Sequence, residues 1–447
     1  MNIIIAGGGR VGYHLAHLLA VEHHNITVIE KDPDRLELID QAIDASTING
    51  NAISVILLKE AGAESADLFI SVTGQDEVNL LTAAAAKGLG AKQVVARVDQ
   101  QVYIESSILY EAILGIDYVL SPEALTALDI AKYIETSGIA ALQDFGRGRV
   151  QMRQVRVTKS PTVGGKTLKD VCPPGSGVLL GVVSRNEDII IPHGDSTVEP
   201  GDMVTLVGRT EVLDEMQKQF QDKESRIQRV FIMGGGSMGF LLARALDQRR
   251  RTIKIFERNP ARCQELANAF DRVEIICADG SSRDVLEREL AGEADVFVAV
   301  TDDDERNIIA SVLAREVGGE RTICVVHQPD FASLVPKLGI DHAVTPRACL
   351  ANRILRMVHS GAVTSLAVLE EGKVEVVEFS AKEKSPVLNR PLKDLRNRFP
   401  KNALVAVILH GDQVIVPSGA DVIQAGDSVV MIVDSESLES VQRLFPQ

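Results

Sequence analysis

The feature that most constrains this fold is a duplication of one strand-turn-helix block within a single chain. "IIIAGGGRVG" begins at Ile3, and "RVFIMGGGSMG" begins at Arg229. The glycines keep a constant offset of 227 positions, with Gly7, Gly9 and Gly12 matching Gly234, Gly236 and Gly239. Later blocks repeat in the same order, because "ADLFISVTGQDEVN" matches "ADVFVAVTDDDERN" at an offset of 228. The chain is therefore expected to fold as two similar halves.

Each glycine turn has the spacing of a dinucleotide-binding turn, Gly-x-Gly-x-x-Gly between an apolar strand and a helix. The first glycine permits the turn, the second lets the backbone approach a pyrophosphate, and the third lets the helix pack closely. A carboxylate ends the next strand in both halves, at Glu30 and Glu257. Such a carboxylate accepts hydrogen bonds from ribose hydroxyls and repels a 2′-phosphate, which favours NAD or an unphosphorylated adenosine over NADP.

The remaining candidates are assigned from their places after successive strands. Thr73 and Thr301 end the fourth strand of their halves, Asn51 and Asp279 are expected near adenine, and Arg97 is expected to meet a phosphate. In the second half, His327 and Gln328 are expected around the place of Arg97. The predicted binding residues of the first half are Gly7, Gly8, Gly9, Arg10, Val11, Gly12, Glu30, Asn51, Thr73 and Arg97. Those of the second half are Gly234, Gly236, Ser237, Met238, Gly239, Glu257, Asp279 and Thr301.

The segments behind these blocks repeat as well. "KSPTVGGKTLKDV" resembles "EKSPVLNRPLKDL", and a Gly-Asp turn recurs at 201–202 and 426–427. The predicted fold is α/β, with two doubly wound parallel-sheet domains that are each followed by a small α+β domain. The expected boundaries are 1–138, 139–225, 226–362 and 363–447. Residues 209–229 are expected to form a helix that closes the first half and a short connector into the second half.

Composition excludes several classes of protein. The 447 residues suffice for three or four domains, and 45% hydrophobic with 24% charged residues indicates a globular chain. A net charge of −15 disfavours nucleic acid as a partner. Five cysteines without a Cys-x-x-Cys pair argue against a disulfide framework and a structural zinc site. Without a signal peptide or an apolar run of spanning length, a cytosolic location is expected.

No catalytic motif accompanies the glycine turns. The sequence contains no His-Glu-x-x-His and no P-loop, and catalytic and metal-binding residues are not predicted. A dehydrogenase also needs a substrate domain with an acid or base against the nicotinamide. Two alternatives to a regulatory protein stay open at this point: a duplicated NAD-dependent oxidoreductase, and a scaffold whose glycine turns hold no ligand.

With these motifs in view, the chain resembles the TrkA family, the peripheral cytosolic subunits of bacterial Trk potassium uptake systems. The resemblance rests on "GGGRVG", "VTGQDEVN" and "ARV" in the first half, and on "GGGSMG", "CADGSSRDVL" and "VTDDDERN" in the second. It implies paired RCK N- and C-domains, twice over, that bind NAD(H) or ATP/ADP without catalysis. It also implies a homotetramer docked on the cytoplasmic face of a TrkH- or TrkG-type potassium channel subunit. Asn51 departs from the acid that is usual at its position.

Overall fold

The computed structural model describes residues 1–22, 24–135, 139–158, 166–173, 175–185, 188–192, 194–220, 227–247, 251–358, 363–369, 373–400, 402–411 and 413–446. It divides into two compact units. Unit 1 joins Met1–Lys132 with Ile227–Arg353, and unit 2 joins Tyr133–Arg226 with Ile354–Gln447. Domains of the same type from the two halves therefore share a unit.

The first repeat of unit 1 is a six-stranded parallel sheet covered by helices. Its strands are β1 (Asn2–Ala6), β2 (Asn25–Glu30), β3 (Ser46–Asn49), β4 (Leu68–Ser71), β5 (Gln93–Arg97) and β6 (Tyr118–Leu120). Its helices are α1 (Arg10–Val21), α2 (Pro33–Ala42), α3 (Val55–Glu60), α4 (Asp76–Leu89), α5 (Gln101–Glu105), α6 (Ser107–Leu114) and α7 (Pro122–Glu135). The strand order β3-β2-β1-β4-β5-β6 reverses direction between β1 and β4. In such sheets ligands bind in the crevice outside the carboxyl ends of these strands.

The second repeat reproduces this sheet in the order β14-β13-β12-β15-β16-β17. Its strands are β12 (Arg229–Met233), β13 (Thr252–Glu257), β14 (Glu274–Cys277), β15 (Val296–Ala299), β16 (Thr322–Val325) and β17 (His342–Val344). Its helices are α10 (Ser237–Leu246), α11 (Pro260–Ala269), α12 (Arg283–Arg288), α13 (Asp304–Glu316), α14 (Pro329–Ala332) and α15 (Pro346–Val358). All pairs in both sheets are parallel, as the sequence predicted.

Local sequence explains where these elements begin. Residues 3–6 of β1 are all buried, as a central parallel strand requires. At the start of α2 the Asp32 side chain accepts from the Asp34 amide at 3.1 Å, just before Pro33 in the first turn. Gly90, with φ +124°, ends α4. The fourth strand of each repeat ends two residues before the predicted Thr73 and Thr301, at Ser71 in β4 and at Ala299 in β15. Strand β3 is short, and half of its residues are exposed.

Unit 2 contains two five-stranded antiparallel sheets with the same connectivity, β10-β9-β11-β8-β7 and β18-β19-β22-β20-β21. The first sheet has β7 (Ile139–Phe145), β8 (Val150–Arg156), β9 (Val178–Arg185), β10 (Asp188–Ile190) and β11 (Met203–Arg209), with helices α8 (Leu168–Val171) and α9 (Thr210–Phe220). The second has β18 (Val363–Leu369), β19 (Val374–Ser380), β20 (Ala403–His410), β21 (Gln413–Ile415) and β22 (Ser428–Asp434), with helix α16 (Leu438–Gln442). The predicted α+β class of both small domains is confirmed. Helix α9 lies within the predicted closing helix, and residues 221–226 of the predicted connector lie outside the described residues.

The two sheets of unit 2 share one apolar core. Phe145 and Met152 of the first sheet pack with Val376 and Ile432 of the second, and all four are buried. A buried carboxylate also links them, because Glu378 accepts from the Gly146 amide at 3.0 Å. The repeated Gly-Asp turns are structural: the buried Asp202 and Asp427 each accept an amide three residues earlier, at 2.8 Å.

Candidate nucleotide sites

Both glycine turns have the geometry that close approach to an anion requires. We call the crevice bordered by residues 7–12, Glu30 and Thr73 the first cradle, and the crevice bordered by 234–239, Glu257 and Thr301 the second cradle. The first glycine of each turn has a positive φ, +109° at Gly7 and +113° at Gly234. Such a backbone conformation is strained for any residue with a Cβ. The glycines at these positions are therefore required by the turn itself.

The second and third glycines of each turn differ in the space around them. A Cβ on Gly12 would lie 1.8 Å from the Gly7 carbonyl oxygen, and one on Gly239 would lie 1.9 Å from that of Gly234. These third glycines let the helix begin against the turn. At Gly9 a Cβ would meet only Arg35 Nη1, at 3.6 Å, and at Gly236 it would meet nothing within 4 Å. The second glycines therefore face open space.

Gly9 and Gly236 are the residues that precede α1 and α10, and no side chain caps either helix. The first amides of an α-helix have no acceptor within the helix, and its dipole places partial positive charge there. Arg10, Val11, Ser237 and Met238 form these first turns. Each cradle thus presents uncapped amides beside open space, which is the arrangement that binds phosphate groups.

The predicted ribose acids are held by the backbone. Glu30 is buried and accepts from the amides of Gly8 at 2.5 Å, Lys31 at 2.8 Å and Asp32 at 2.9 Å. Glu257 accepts from Gly235 at 2.9 Å and from Asn259 at 2.7 Å. A carboxylate offers about four acceptor sites, so both retain capacity for a further donor. Glu30 and Glu257 therefore link each glycine turn to the end of the next strand, a bracing role that sequence reasoning missed.

A buried asparagine shapes the far wall of each cradle. Asn79 accepts from Thr73 Oγ1 at 2.7 Å and donates to the carbonyls of Thr73 and Arg97, both at 3.0 Å. Asn307 accepts from Thr301 Oγ1 at 2.6 Å and donates to the carbonyl of Val325 at 3.0 Å. These bonds tie the loop after the fourth strand to the end of the fifth. Asn79 and Asn307 occupy the same position of the duplicated block, and this match between the repeats could have identified them from the sequence.

The same bonds correct the predicted counterpart of Arg97. Because Asn79 donates to Arg97 and Asn307 to Val325, the second repeat has Val325 at that place, and the prediction of His327 and Gln328 there was wrong. His327 instead donates its amide to the buried Asp304 at 2.9 Å, and its Nδ1 lies 2.8 Å from the same carboxylate. Arg97 itself forms a two-point ion pair with Asp99, at 2.9 and 2.6 Å.

The residues predicted near adenine also differ between repeats. Asn51 is exposed, and its side chain accepts from the Ile53 amide at 3.2 Å. Asp279 accepts from Ser281 Oγ at 2.7 Å and from Arg306 Nη2 at 2.6 Å. Partial burial of Asp279 opposes its ionisation, but the hydrogen bonds from Ser281 and the Arg306 charge lower its pKa to about 2. Asp279 is therefore anionic, whereas the first cradle has a neutral amide there.

Within unit 1 the two repeats meet at a polar cavity. A cavity of about 470 Å³ is lined by Arg10 of the first repeat and by Asp302, Asp303, Asp304, Glu305, His327 and Gln328 of the second. The Arg10 side chain, predicted for the first cradle, thus borders the acidic loop beside the second. Ser237 stands at the matching position of the second repeat, so this arrangement is not reciprocal.

Comparison with known proteins agrees with this architecture. Family models of the TrkA-N domain match residues 3–122 and 230–346, and models of the TrkA-C domain match 152–221 and 376–445. A "Trk system potassium uptake protein TrkA homolog" of Archaeoglobus fulgidus is 33% identical over all of both chains. The TrkA of Halomonas elongata is 30% identical over all of this chain and 98% of its own. The chain belongs to the TrkA family.

Solved structures share the fold at lower identity. The GsuK channel aligns over 99% of this chain and 78% of its own, with a TM-score of 0.64 and 16% identity. The GsuK channel bound to NAD aligns with a TM-score of 0.62 and 17% identity over the same shares. Among the described residues no helix is both long and apolar enough to cross a membrane.

Proposed function

We propose that this protein is a nucleotide-sensing regulatory subunit of a membrane potassium uptake system. The observation that carries the proposal is the pair of cradles, each with open space and uncapped helix amides at its glycine turn. The full-length relatives are named as potassium uptake proteins, which supplies the process that is regulated. The four predicted domain boundaries stay predictions and serve as the working division of the chain.

NAD(H) and ATP or ADP are the proposed ligands, supported by the cradle geometry and by the NAD-bound relative of the same fold. The amides of residues 7–12 and 234–239 hold the pyrophosphate, and Glu30 and Glu257 accept from the ribose. Thr73 and Thr301 line the crevice beside the turns. Asn51 and Asp279 lie toward the adenine, and Arg97 exchanges its Asp99 partner for a phosphate of the ligand.

The polar side chains at the cradles are already engaged in hydrogen bonds within the protein, which favours a regulatory role over that of an oxidoreductase. Glu30 and Asn79 hold the backbone, and Asp279 is paired with Arg306. The imidazole at the second cradle, His327, is bonded to Asp304, and the first repeat has Asp99 at its position. A hydride-transfer enzyme places a proton donor against the nicotinamide in every active site. Among the described residues, the imidazole of His327 therefore has no counterpart at the first cradle.

Regulation follows when a nucleotide binds two conformations of the assembly with different affinity. Shifting a two-state equilibrium from 1:99 to 99:1 takes about 5.5 kcal/mol of differential binding. Divided over several sites of an oligomer, the requirement falls to about 1 kcal/mol per site, which one charge-assisted hydrogen bond supplies. Such a bond can distinguish nucleotides that differ in the number of phosphates or in the charge of the nicotinamide.

Homotetramer formation is part of the proposal and is supported by exposed apolar side chains that recur in both repeats. In the first repeat they lie on α4, α5 and α6, at Leu81, Val102, Ile108, Leu109 and Ile113. In the second repeat Ile309 occupies the position of Leu81, and Leu334 and Leu338, which follow α14, are also exposed. Because both repeats offer an apolar face, copies of the chain can join head to tail into a closed ring. Light scattering of an Ile108→Glu variant tests this, and an unchanged mass would contradict it.

The proposed partner is a TrkH- or TrkG-type channel subunit, which places the protein in the cytoplasm on the inner face of the membrane. Co-purification with a potassium channel subunit tests the partner. Potassium flux through the complex, compared in NAD, NADH, ATP and ADP, then tests the regulation. Flux that is the same in all four nucleotides would contradict it.

Nucleotide binding is tested by isothermal titration of Gly9→Asp and Gly236→Asp. Both positions have room for a side chain, so the fold is retained, but the new carboxylate repels an anion at the helix N-terminus. Each variant is expected to lose binding at its own cradle alone. Gly88→Asp, on exposed α4 surface with nothing within 4 Å, is the matched control. Unchanged stoichiometry in both cradle variants would overturn the assignment.

A further inference from the structure

Two cysteine thiols meet beside the second cradle. Cys277 is the exposed last residue of β14, and it is the register partner of Glu257 on β13. Cys263 is buried on α11, and its thiol donates to the Glu257 carbonyl oxygen at 3.2 Å. Both cysteines therefore flank the residue that is expected to hold the ribose.

The two thiols also interact with each other. Burial raises the pKa of the Cys263 thiol to about 12, and a hydrogen bond and charge interaction with Cys277 add to this rise. The described residues bring no set of three His, Cys, Asp or Glu side chains together that could hold a metal ion. Redox-sensing cysteines are solvent-accessible and often lie next to a second, resolving cysteine, and the exposed Cys277 lies in this way beside Cys263.

The first repeat has no such pair. Asn49 is the register partner of Glu30, as Cys277 is of Glu257. Leu36 donates its amide to the helix-capping Asp32, as Cys263 does to Asn259, so Leu36 holds the position of Cys263. The fold therefore does not require cysteine at either place. Cytosolic disulfides are typically transient and redox-sensing, which gives a pair of this kind a regulatory meaning.

We propose that Cys263 and Cys277 form a reversible disulfide that weakens nucleotide binding at the second cradle. The oxidant is a hydroperoxide. The Cys277 sulfur attacks hydrogen peroxide, whose O–O bond breaks, to give a sulfenic acid and one water. The Cys263 sulfur then attacks that sulfenic sulfur, so the S–S bond forms, the S–O bond breaks, and the hydroxyl leaves with the Cys263 proton as a second water. An external dithiol restores both thiols and is itself oxidised to a disulfide.

The disulfide acts on two walls of the cradle. Helix α11 carries Arg262, whose Nε donates to the Gly235 carbonyl at 2.7 Å. The end of β14 leads to Asp279, which holds Arg306. A covalent link from Cys263 to Cys277 joins these walls and removes the thiol donor from the Glu257 carbonyl. The space for a ribose at Glu257 is then narrowed, so the oxidised cradle binds nucleotide more weakly.

This inference rests on the proposed function, and its test separates the two. Full-length Gly9→Asp protein, in which only the second cradle binds, is titrated with ADP before and after native treatment with hydrogen peroxide. Peptide mapping is expected to show a Cys263–Cys277 crosslink that dithiothreitol removes, with ADP bound about tenfold more weakly in the crosslinked form. Cys277→Ser is expected to abolish both changes. Cys172→Ser, which removes a thiol from unit 2, is expected to retain them.

Absence of the crosslink, or a crosslink that leaves ADP affinity unchanged, overturns the inference. An equal loss of affinity in the peroxide-treated Cys277→Ser protein overturns it as well. By contrast, reduced Gly9→Asp protein that fails to bind ADP or NAD overturns the proposed function of the second cradle, whereas the mapping still decides whether the thiols pair.

Discussion

The backbone has nearly the same geometry in the two cradles, but the side chains around them carry different charges. In the first, Arg97 ends β5 and pairs with Asp99. In the second, Val325 takes the place of Arg97, and Arg306 pairs with Asp279 in the loop after β14. The turn geometry is nearly identical, since a Cβ on the third glycine would meet the same carbonyl at 1.8 Å in one repeat and 1.9 Å in the other.

The loop before the fourth helix of each repeat widens this difference. Gly74 and Gln75 precede α4, whereas Asp302 and Asp303 precede α13. The glycines and the buried asparagines determine the backbone shape of a cradle, because few other residues can adopt the same backbone conformation or form the same hydrogen bonds. Charges at its rim are solvated and can diverge without loss of the fold. We therefore expect the first cradle to favour the nucleotide with more phosphates. The Arg97 and Asp302 predictions below test this preference, and the asparagine and His14 predictions test the stability of the two repeats.

The largest effect is expected from removing the buried asparagines. Asn79→Ala or Asn307→Ala leaves several backbone and hydroxyl groups without partners, which costs about 3 kcal/mol of unfolding free energy. Asn79 also accepts from Ser71 Oγ at 3.1 Å, so its loss is expected to cost more than that of Asn307. Urea unfolding measures this, with the exposed Asn268→Ala of α11 as control. Midpoints unmoved by either variant would show that these amides do not hold the cradles.

Arg97→Val gives the first cradle the residue of the second. Loss of a charge-assisted phosphate contact is expected to weaken ATP binding by about tenfold while changing NAD binding less. The titration is made in Gly236→Asp protein, so that only the first cradle is measured. Arg283→Val on α12, which removes an exposed arginine paired with Glu287, is the control. Equal weakening of ATP and NAD would argue against a phosphate-reading role.

His14 gives the first repeat a titratable side chain that the second repeat lacks at that position, since Leu241 stands there. Burial, and then the Arg347 and His17 charges, lower the pKa of His14 from 6.5 to about 4. Between these values the unfolded chain binds the proton more readily, so stability present above pH 6.5 is lost as pH falls toward 4. His14→Leu is expected to lose less thermal stability between about pH 7 and pH 5. Identical losses in both proteins would contradict this.

The smallest effect is expected at the acidic rim of the second cradle. Asp302→Asn removes an exposed charge next to Thr301, beside the glycine turn where phosphates are proposed to bind, and is expected to tighten ATP binding there by about two- to threefold. The gain is expected to fade at high ionic strength, since exposed charges are screened. Titration of Gly9→Asp protein at low and high salt measures it. A gain that persists in high salt would indicate a structural change instead.

Much of the site could be read from the sequence because its signals are local. Gly7 has a positive φ and a Cβ on Gly12 would clash with the turn, so only glycine fits these two positions without strain. The glycine spacing in the sequence therefore predicts the turn. Glu30 follows from its position at a strand end. The hydrogen bonds from the Gly8 and Gly235 amides to Glu30 and Glu257 could not be predicted, because they depend on where two separate loops meet in the fold.

The place of Arg97 shows where sequence reasoning failed. The offset between repeats changes from 227 at Glu257 to 228 at Thr301, and "ARV" marks the end of the fifth strand in the first repeat only. Only the bonds from Asn79 and Asn307 identified Val325 as its counterpart. The ion pair of Asp279 with Arg306 was hidden for the same reason, since the two residues come from different loops.

The sequence by itself determined the duplication, the glycine turns, the parallel order of strands and the family. Those features depend on backbone dihedral angles and on side-chain periodicity within short segments. Tertiary structure decided which residues from distant segments meet: the sharing of units by like domains, the Gly146–Glu378 bond, and the positions of Cys263 and Cys277 on either side of Glu257. Such contacts depend on how helix and sheet surfaces pack, and packing is a property of the whole fold.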